Sequence, residues 1–160
     1  MNASTVLKKI LLTIIITIIY AVYTPAGELQ SVSATQIRPV RPSAYIFNIQ
    51  FDAPVTATSQ IEIRFAEQFT LLQNIIVSSD DLPGGLQAVV EKQKLIITRV
   101  KPNETVEAGE ALEIRTASVV NPVDMEQPYE FQISLLNGNT ITDSITNSVN
   151  IELYTNQKLQ

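Results

Sequence analysis

The sequence predicts an all-β protein, an antiparallel β-sandwich of seven to nine strands preceded by an N-terminal hydrophobic helix. Apolar and polar residues alternate with a period of two in five separate stretches, which is the spacing that places successive side chains on opposite faces of a strand. Clusters of Pro, Gly, Asn and Asp separate these stretches at short intervals. Parallel strands need long crossover connections, so short turns favour antiparallel pairing.

The N-terminal segment is the most specific feature of the chain. Lys8 and Lys9 precede an apolar run over residues 10–22, and a short segment with small residues leads to Ala26. A basic region, an apolar core of about 7–15 residues and a small residue at the cut make up a secretory signal peptide. We therefore expect residues 1–26 to be removed by cleavage after Ala26, and the protein to be secreted or held at the cell surface.

An uncleaved membrane anchor is the alternative interpretation of the same segment. The apolar run is shorter than the roughly 20 residues that cross a bilayer, so cleavage is favoured. Contact with the membrane is expected only if the segment is retained. In either case residues 27–160 are expected to form a single β-sandwich domain.

The predicted strands differ in the strength of their alternation. It is clearest in residues 45–51, 61–65, 112–115, 129–135 and 149–153. Weaker strands, short and rich in β-branched residues, are predicted at 31–37, 75–77, 86–90 and 95–100. Asn137-Gly138 is the sharpest hairpin signal, because these two residues accept the positive φ of a tight turn.

The alternation also predicts which side chains form the core. Two aligned sheets would bury the apolar face of each strand between them. The expected core side chains are Phe47, Phe51, Ile63, Phe65, Leu112, Ile114, Phe131 and Ile133.

The composition excludes several classes of function. The chain contains no Cys, His or Trp, so it lacks thiol nucleophiles, disulfides, Ser-His-Asp triads and most common metal-ligand sets. Its formal net charge is −5 and its eleven basic residues are scattered, which argues against nucleic acid as a partner. We expect neither enzymatic activity nor a cofactor. Only 17% of residues are charged, below the roughly 25% of average soluble domains, which suits an extracellular β-protein.

A succession of strand motifs extends over about residues 31–145. The motifs are FNIQF at 47–51, QIEIRF at 60–65, QFTL at 68–71, VEAGEALEI at 106–114, VVNP at 119–122 and YEFQI at 129–133. In this order they resemble an immunoglobulin-like module that is repeated in large secreted or surface proteins of bacteria, archaea and ciliates. The resemblance implies an extracellular module with a structural or adhesive role and no catalytic residues. This chain holds one copy where that family often holds many.

Two sequence features could bind or carry a further group. Asp80 and Asp81 lie beside Gly84-Gly85 and offer oxygen ligands of the kind that calcium prefers. An ordinary acidic loop is the favoured explanation, because the regular ligand spacing of an EF-hand is absent. Asn103-Glu104-Thr105 is an N-glycosylation sequon, and its use depends on the host.

Two classes of function therefore stay open. In the first, the domain is a structural or adhesive module that binds another protein or a copy of itself by adding a strand at a sheet edge. Residues 140–150 are the expected place, because they combine β-propensity with low charge. In the second, loops at one end of the sandwich bind carbohydrate or calcium. The first is favoured, since no convergent cluster of polar residues supports a pocket.

Overall fold

The structure of the protein, a computed structural model, describes residues 27–102 and 104–155. The predicted signal segment with its cleavage position at Ala26, and the sequon residue Asn103, lie outside the described residues. The strands are β1 (Glu28–Ala34), β2 (Pro42–Gln50), β3 (Ser59–Arg64), β4 (Thr70–Leu71), β5 (Val77–Ser78), β6 (Leu86–Glu91), β7 (Lys94–Arg99), β8 (Ala111–Val120), β9 (Tyr129–Asn137), β10 (Thr140–Val149) and β11 (Glu152–Leu153). Within these two ranges no helix has the length and apolar character needed to cross a membrane.

The strands form two sheets. The first has the order β11-β1-β2-β8-β4, and β5 also pairs with β8. The second has the order β10-β9-β3-β7-β6. Every pair is antiparallel except β1 with β11, which is parallel. The predicted all-β sandwich is confirmed: eight strands have at least six residues, and three two-residue strands bring the described total to eleven.

The space between the sheets holds one continuous apolar core. All eight side chains predicted for it are buried, each with at most 2% of its surface exposed. At its centre the ring of Phe65, which follows β3, meets Tyr45, Phe47 and Phe131 edge to face at centroid distances of 5.5–6.2 Å. Each such pair contributes about 0.5–1.5 kcal/mol beyond its buried area. Because these rings come from both sheets, the cluster fixes how the sheets face each other.

The C-terminal strand prediction requires a correction. The alternating run 149–153 is divided between two sheets, since β10 ends at Val149 and β11 begins at Glu152. Ile151 is buried between them, because the chain crosses there from the second sheet to the first. The predicted turn at Asn137-Gly138 is confirmed: it connects β9 to β10, and Gly138 has a φ of 61°.

Candidate functional site

The four sheet edges differ in how they are protected. Two-residue strands border the first sheet, with β11 beside β1 on one side and β4 and β5 beside β8 on the other. In the second sheet one edge is the six-residue β6, which ends at Glu91 and is followed by a turn that contains Lys92. The other edge is the ten-residue β10, which has one charged residue, Asp143, and no proline. Natural sheets protect edges with short strands, lysine and proline, so β10 is the least protected edge.

The hydrogen-bond alternation within the second sheet shows which backbone groups face outward. In an antiparallel sheet the N–H and C=O groups of successive residues point to opposite neighbours. Phe65 N donates to Gln93 O at 2.9 Å, so odd-numbered residues at this end of β3 bond toward β7 and even-numbered ones bond toward β9. In the β3–β9 register Arg64 lies opposite Gln132. The even-numbered residues of β9 therefore bond to β3, and its odd-numbered residues bond to β10.

The same alternation continues into β10. Ile145 lies opposite Ile133 of β9, so the odd-numbered residues of β10 after its bulge bond to β9. The even-numbered residues Ser144, Thr146 and Ser148 direct their N–H and C=O groups to the free edge. The N–H of Ser144 is already accepted by Asp143 Oδ1 at 2.7 Å. Thr146 and Ser148, both with exposed side chains, present a continuous set of backbone donors and acceptors.

Side chains of β10 attach this edge to the first sheet. Asp143 Oδ1 accepts a hydrogen bond from Gly27 N at 3.2 Å, and Oδ2 accepts one from Asp52 N at 2.7 Å. Asn147 Nδ2 donates to Leu29 O at 3.4 Å. These contacts hold β10 beside β1 without using the outward backbone groups of the even-numbered residues.

Sequence reasoning identified residues 140–150 but missed this role of Asp143. Its partners Gly27 and Asp52 are 116 and 91 residues away in the chain. No local sequence signal marks such a contact, because it depends on which strands end on the same side of the sandwich.

The predicted calcium ligands lie on the other side of the first sheet, near β5 and β8. Asp80 Oδ2 is 3.2 Å from Arg115 Nη1, and Asp81 Oδ2 accepts a hydrogen bond from Glu113 N at 2.7 Å. Arg115 also forms an ion pair with Glu113. The hydrogen bond with Glu113, aided by Asp80, raises the pKa of Arg115 above its ordinary value. Asp80 is thus paired with a guanidinium and Asp81 with a backbone N–H group.

Neither a metal cluster nor a sugar platform is formed by the described residues. In residues 27–102 and 104–155 no group of three acidic side chains could hold a metal ion. In the same ranges every phenylalanine is buried, as are Tyr45 and Tyr129, and Tyr154 is the single exposed aromatic side chain. The depressions around Arg64 on the outer face of the second sheet are lined by Glu67, Gln93 and other polar residues. These depressions therefore lack the apolar, enclosed character of a usual ligand pocket.

Comparison with known proteins finds similarity in solved structures only. The chain matches no protein-family profile and no curated protein. It is similar to a cohesin module from a family 33 glycoside hydrolase of Clostridium perfringens, at 12% identity and a TM-score of 0.46, over 81% of this chain and 98% of that one. It is also similar to an uncharacterised protein from Nocardia farcinica with an immunoglobulin-like fold, at 14% identity and a TM-score of 0.39, over 81% and 89% of the two chains.

A third similar structure is the GH20 exo-β-N-acetylglucosaminidase of Vibrio harveyi, at 10% identity and a TM-score of 0.45. The match covers 84% of this chain but only 20% of that enzyme. The strand pairing itself shows the all-β, two-sheet sandwich that the sequence predicted.

Proposed function

We propose that this protein is a non-catalytic extracellular module that acts through protein–protein contacts, and that the free edge of β10 is its binding surface. The observation that supports this is a ten-residue edge strand with a single charged residue and outward backbone groups at Thr146 and Ser148. Addition of an extended strand to such an edge gains main-chain hydrogen bonds and needs no deep pocket. The outer edge of β10 is thus suited to a partner strand.

The partner we propose is β10 of a second copy. Two copies that pair antiparallel about a two-fold axis would join their second sheets into one, and such an interface closes as a dimer. Like charges that face each other across strands are destabilising. Here the only charged residue of β10 is Asp143, which is bonded to Gly27 and Asp52 within its own copy. Pairing centred on the outward groups of Thr146 and Ser148 would also place the two Asp143 residues at opposite ends of the joined strands, so the two carboxylates would not face each other.

The test uses proline, which removes one backbone N–H and is tolerated where that N–H faces solvent. Thr146→Pro deletes an outward donor of β10 and leaves the bonds to β9 intact. The matched control is Ala88→Pro on β6. Val100 N donates to Gly85 O at 3.1 Å, so even-numbered residues of β7 bond toward β6. Because Val89 lies opposite Ile96, Ala88 directs its N–H away from β7.

Sedimentation velocity of the full chain over a range of concentrations measures the association. We expect wild type and Ala88→Pro to dimerise, and Thr146→Pro to need at least about tenfold higher concentration for the same degree of dimerisation. The Thr146→Pro monomer should unfold at the same temperature as the wild-type monomer. A wild-type chain that stays monomeric at every concentration, or equal weakening by both substitutions, would refute self-pairing through β10. If the protein instead binds a different protein, and Thr146→Pro abolishes that binding, the β10 edge would still be the binding surface but the partner would not be a second copy.

A further inference from the structure

The carboxylate of Asp143 accepts hydrogen bonds from three backbone N–H groups, two of them from distant parts of the chain and one from its neighbour Ser144. Oδ1 accepts from Gly27 N at 3.2 Å and from Ser144 N at 2.7 Å, and Oδ2 accepts from Asp52 N at 2.7 Å. The three ion pairs of the described residues do not include Asp143. The carboxylate is thus a partly buried negative charge. It accepts hydrogen bonds from backbone groups, but no cationic side chain of the described residues forms an ion pair with it.

Position 27 accepts only glycine for a steric reason. A Cβ atom there would lie 2.6 Å from Gln50 O and 2.7 Å from Asp143 Oδ2, both far inside contact distance. The first of these is a backbone atom and cannot move aside. The small residue that lets the backbone nitrogen reach Asp143 is also the residue that follows the predicted signal-peptide cleavage after Ala26. The residue predicted to become the new N-terminus is therefore the one whose nitrogen contacts Asp143.

We infer that Asp143 is the binding site for the α-ammonium group of Gly27 that forms when the chain is cleaved after Ala26. Hydrolysis by a processing peptidase breaks the amide C–N bond between residues 26 and 27. Water supplies the OH of the new Ala26 carboxyl group and a proton to the Gly27 nitrogen, which at neutral pH is protonated once more. The neutral N–H donor becomes a cation, so its hydrogen bond to the Asp143 carboxylate becomes an ion pair, which adds the attraction between two opposite charges. Removal of the leader therefore strengthens the attachment between β1 and β10.

This inference is independent of strand addition at β10. It is tested on the full chain, expressed with its leader in a secreting bacterial host, by N-terminal sequencing and intact mass of the released protein. We expect the released chain to begin at Gly27. A chain that begins at another residue, or that keeps Met1, would overturn the inference.

The second measurement is urea unfolding of the released protein with its α-amino group free or selectively acetylated. Acetylation removes the positive charge and is expected to lower the folding equilibrium constant about fivefold. In the variant Asp143→Asn the same acetylation is expected to have less than a twofold effect. The matched control is Asp52→Asn, because Asp52 contacts Asp143 through its backbone nitrogen, so the fivefold effect should persist.

Wild-type protein alone provides a third readout, in case Asp143→Asn does not fold. An ion pair with Asp143 raises the pKa of the Gly27 α-amino group above the value of about 7.7–8.0 for a free N-terminus. A ¹⁵N NMR titration of the released protein measures this pKa directly. A value within or below the free range, or equal effects of acetylation in wild type and Asp143→Asn, would show that no such ion pair exists.

Discussion

Replacement of Tyr45 by phenylalanine should destabilise the protein through one buried hydrogen bond. Tyr45 is fully buried on β2, and its hydroxyl donates to Asn121 Oδ1 at 2.6 Å. Asn121 is itself buried, and its Nδ2 atom donates to the carbonyls of Gln36 and Arg38 at 3.0 and 2.9 Å. Tyr45→Phe keeps the ring but leaves Asn121 Oδ1 without its donor. An unsatisfied buried acceptor costs about 1–3 kcal/mol, so we expect a loss of about 2 kcal/mol at pH 7.

The pH dependence of this loss identifies its cause. Burial, with a smaller contribution from Tyr129, raises the pKa of Tyr45 above its ordinary value of 10.0. Below pH 10 the hydroxyl is protonated in both folded and unfolded chains, and its stabilising effect is fully present. Above pH 10 the unfolded chain ionises at this position while the folded chain does not. Wild type then loses about 1.4 kcal/mol per pH unit through this group, and the difference from Tyr45→Phe should vanish near pH 11.5.

Urea unfolding followed by circular dichroism at intervals between pH 7 and pH 11.5 measures both quantities. Other titrating groups are shared by the two proteins and cancel in the difference. Equal stability at pH 7 would refute the hydrogen-bond contribution. A difference that stays constant above pH 10 would refute the proposed shift in the pKa of Tyr45.

Three further predictions concern the loops. Arg99 donates to three backbone carbonyl groups, so Arg99→Ala should cost about 2–4 kcal/mol in urea unfolding, and Arg99→Lys should restore less than half. Gly138 has a φ of +61° with open space around it, whereas Gly84 has a φ of +104° and a Cβ there would lie 2.2 Å from a backbone oxygen. In the same assay Gly138→Ala should therefore lower the free energy of unfolding by about 1 kcal/mol, and Gly84→Ala should lower it clearly more. Millimolar calcium should change the unfolding temperature by less than about 1 °C, because no group of three acidic side chains in the described residues could hold a metal ion; a larger increase that Asp80→Ala abolishes would instead support calcium binding there.

The core could be predicted from the sequence because its signal is local. In residues 61–65 each apolar side chain is separated from the next by one charged residue, which is sufficient to assign Ile63 and Phe65 to the interior. Both are buried as predicted. The same reasoning placed Phe131 and Ile133 in the core, since one face of β9 is apolar and the other polar.

The strand β10 lacks this local signal. Thr140–Val149 consists mainly of threonine, serine and asparagine, because most of its side chains face solvent and Ile145 alone among them is buried. Its low charge indicated an edge, but alternation could not show that the strand is ten residues long. The site depends further on contacts between Asp143 and residues of the first sheet, which become neighbours only when the two sheets pack.

The parallel pairing of β1 with β11 determines how the module responds to tension. β11 runs beside the end of β1, with Glu152 opposite Ser33, and Tyr154 N donates to Ala34 O at 2.8 Å. The polypeptide thus enters at Gly27 and departs next to Ala34, at the far end of a strand about 23 Å long. Force applied to these two points slides β1 along its neighbours. All the bonds between the strands then bear the load at once instead of opening in succession, and the lifetime under such force is set by the unfolding rate. A domain connected in this way can transmit pulling force along its strand axis.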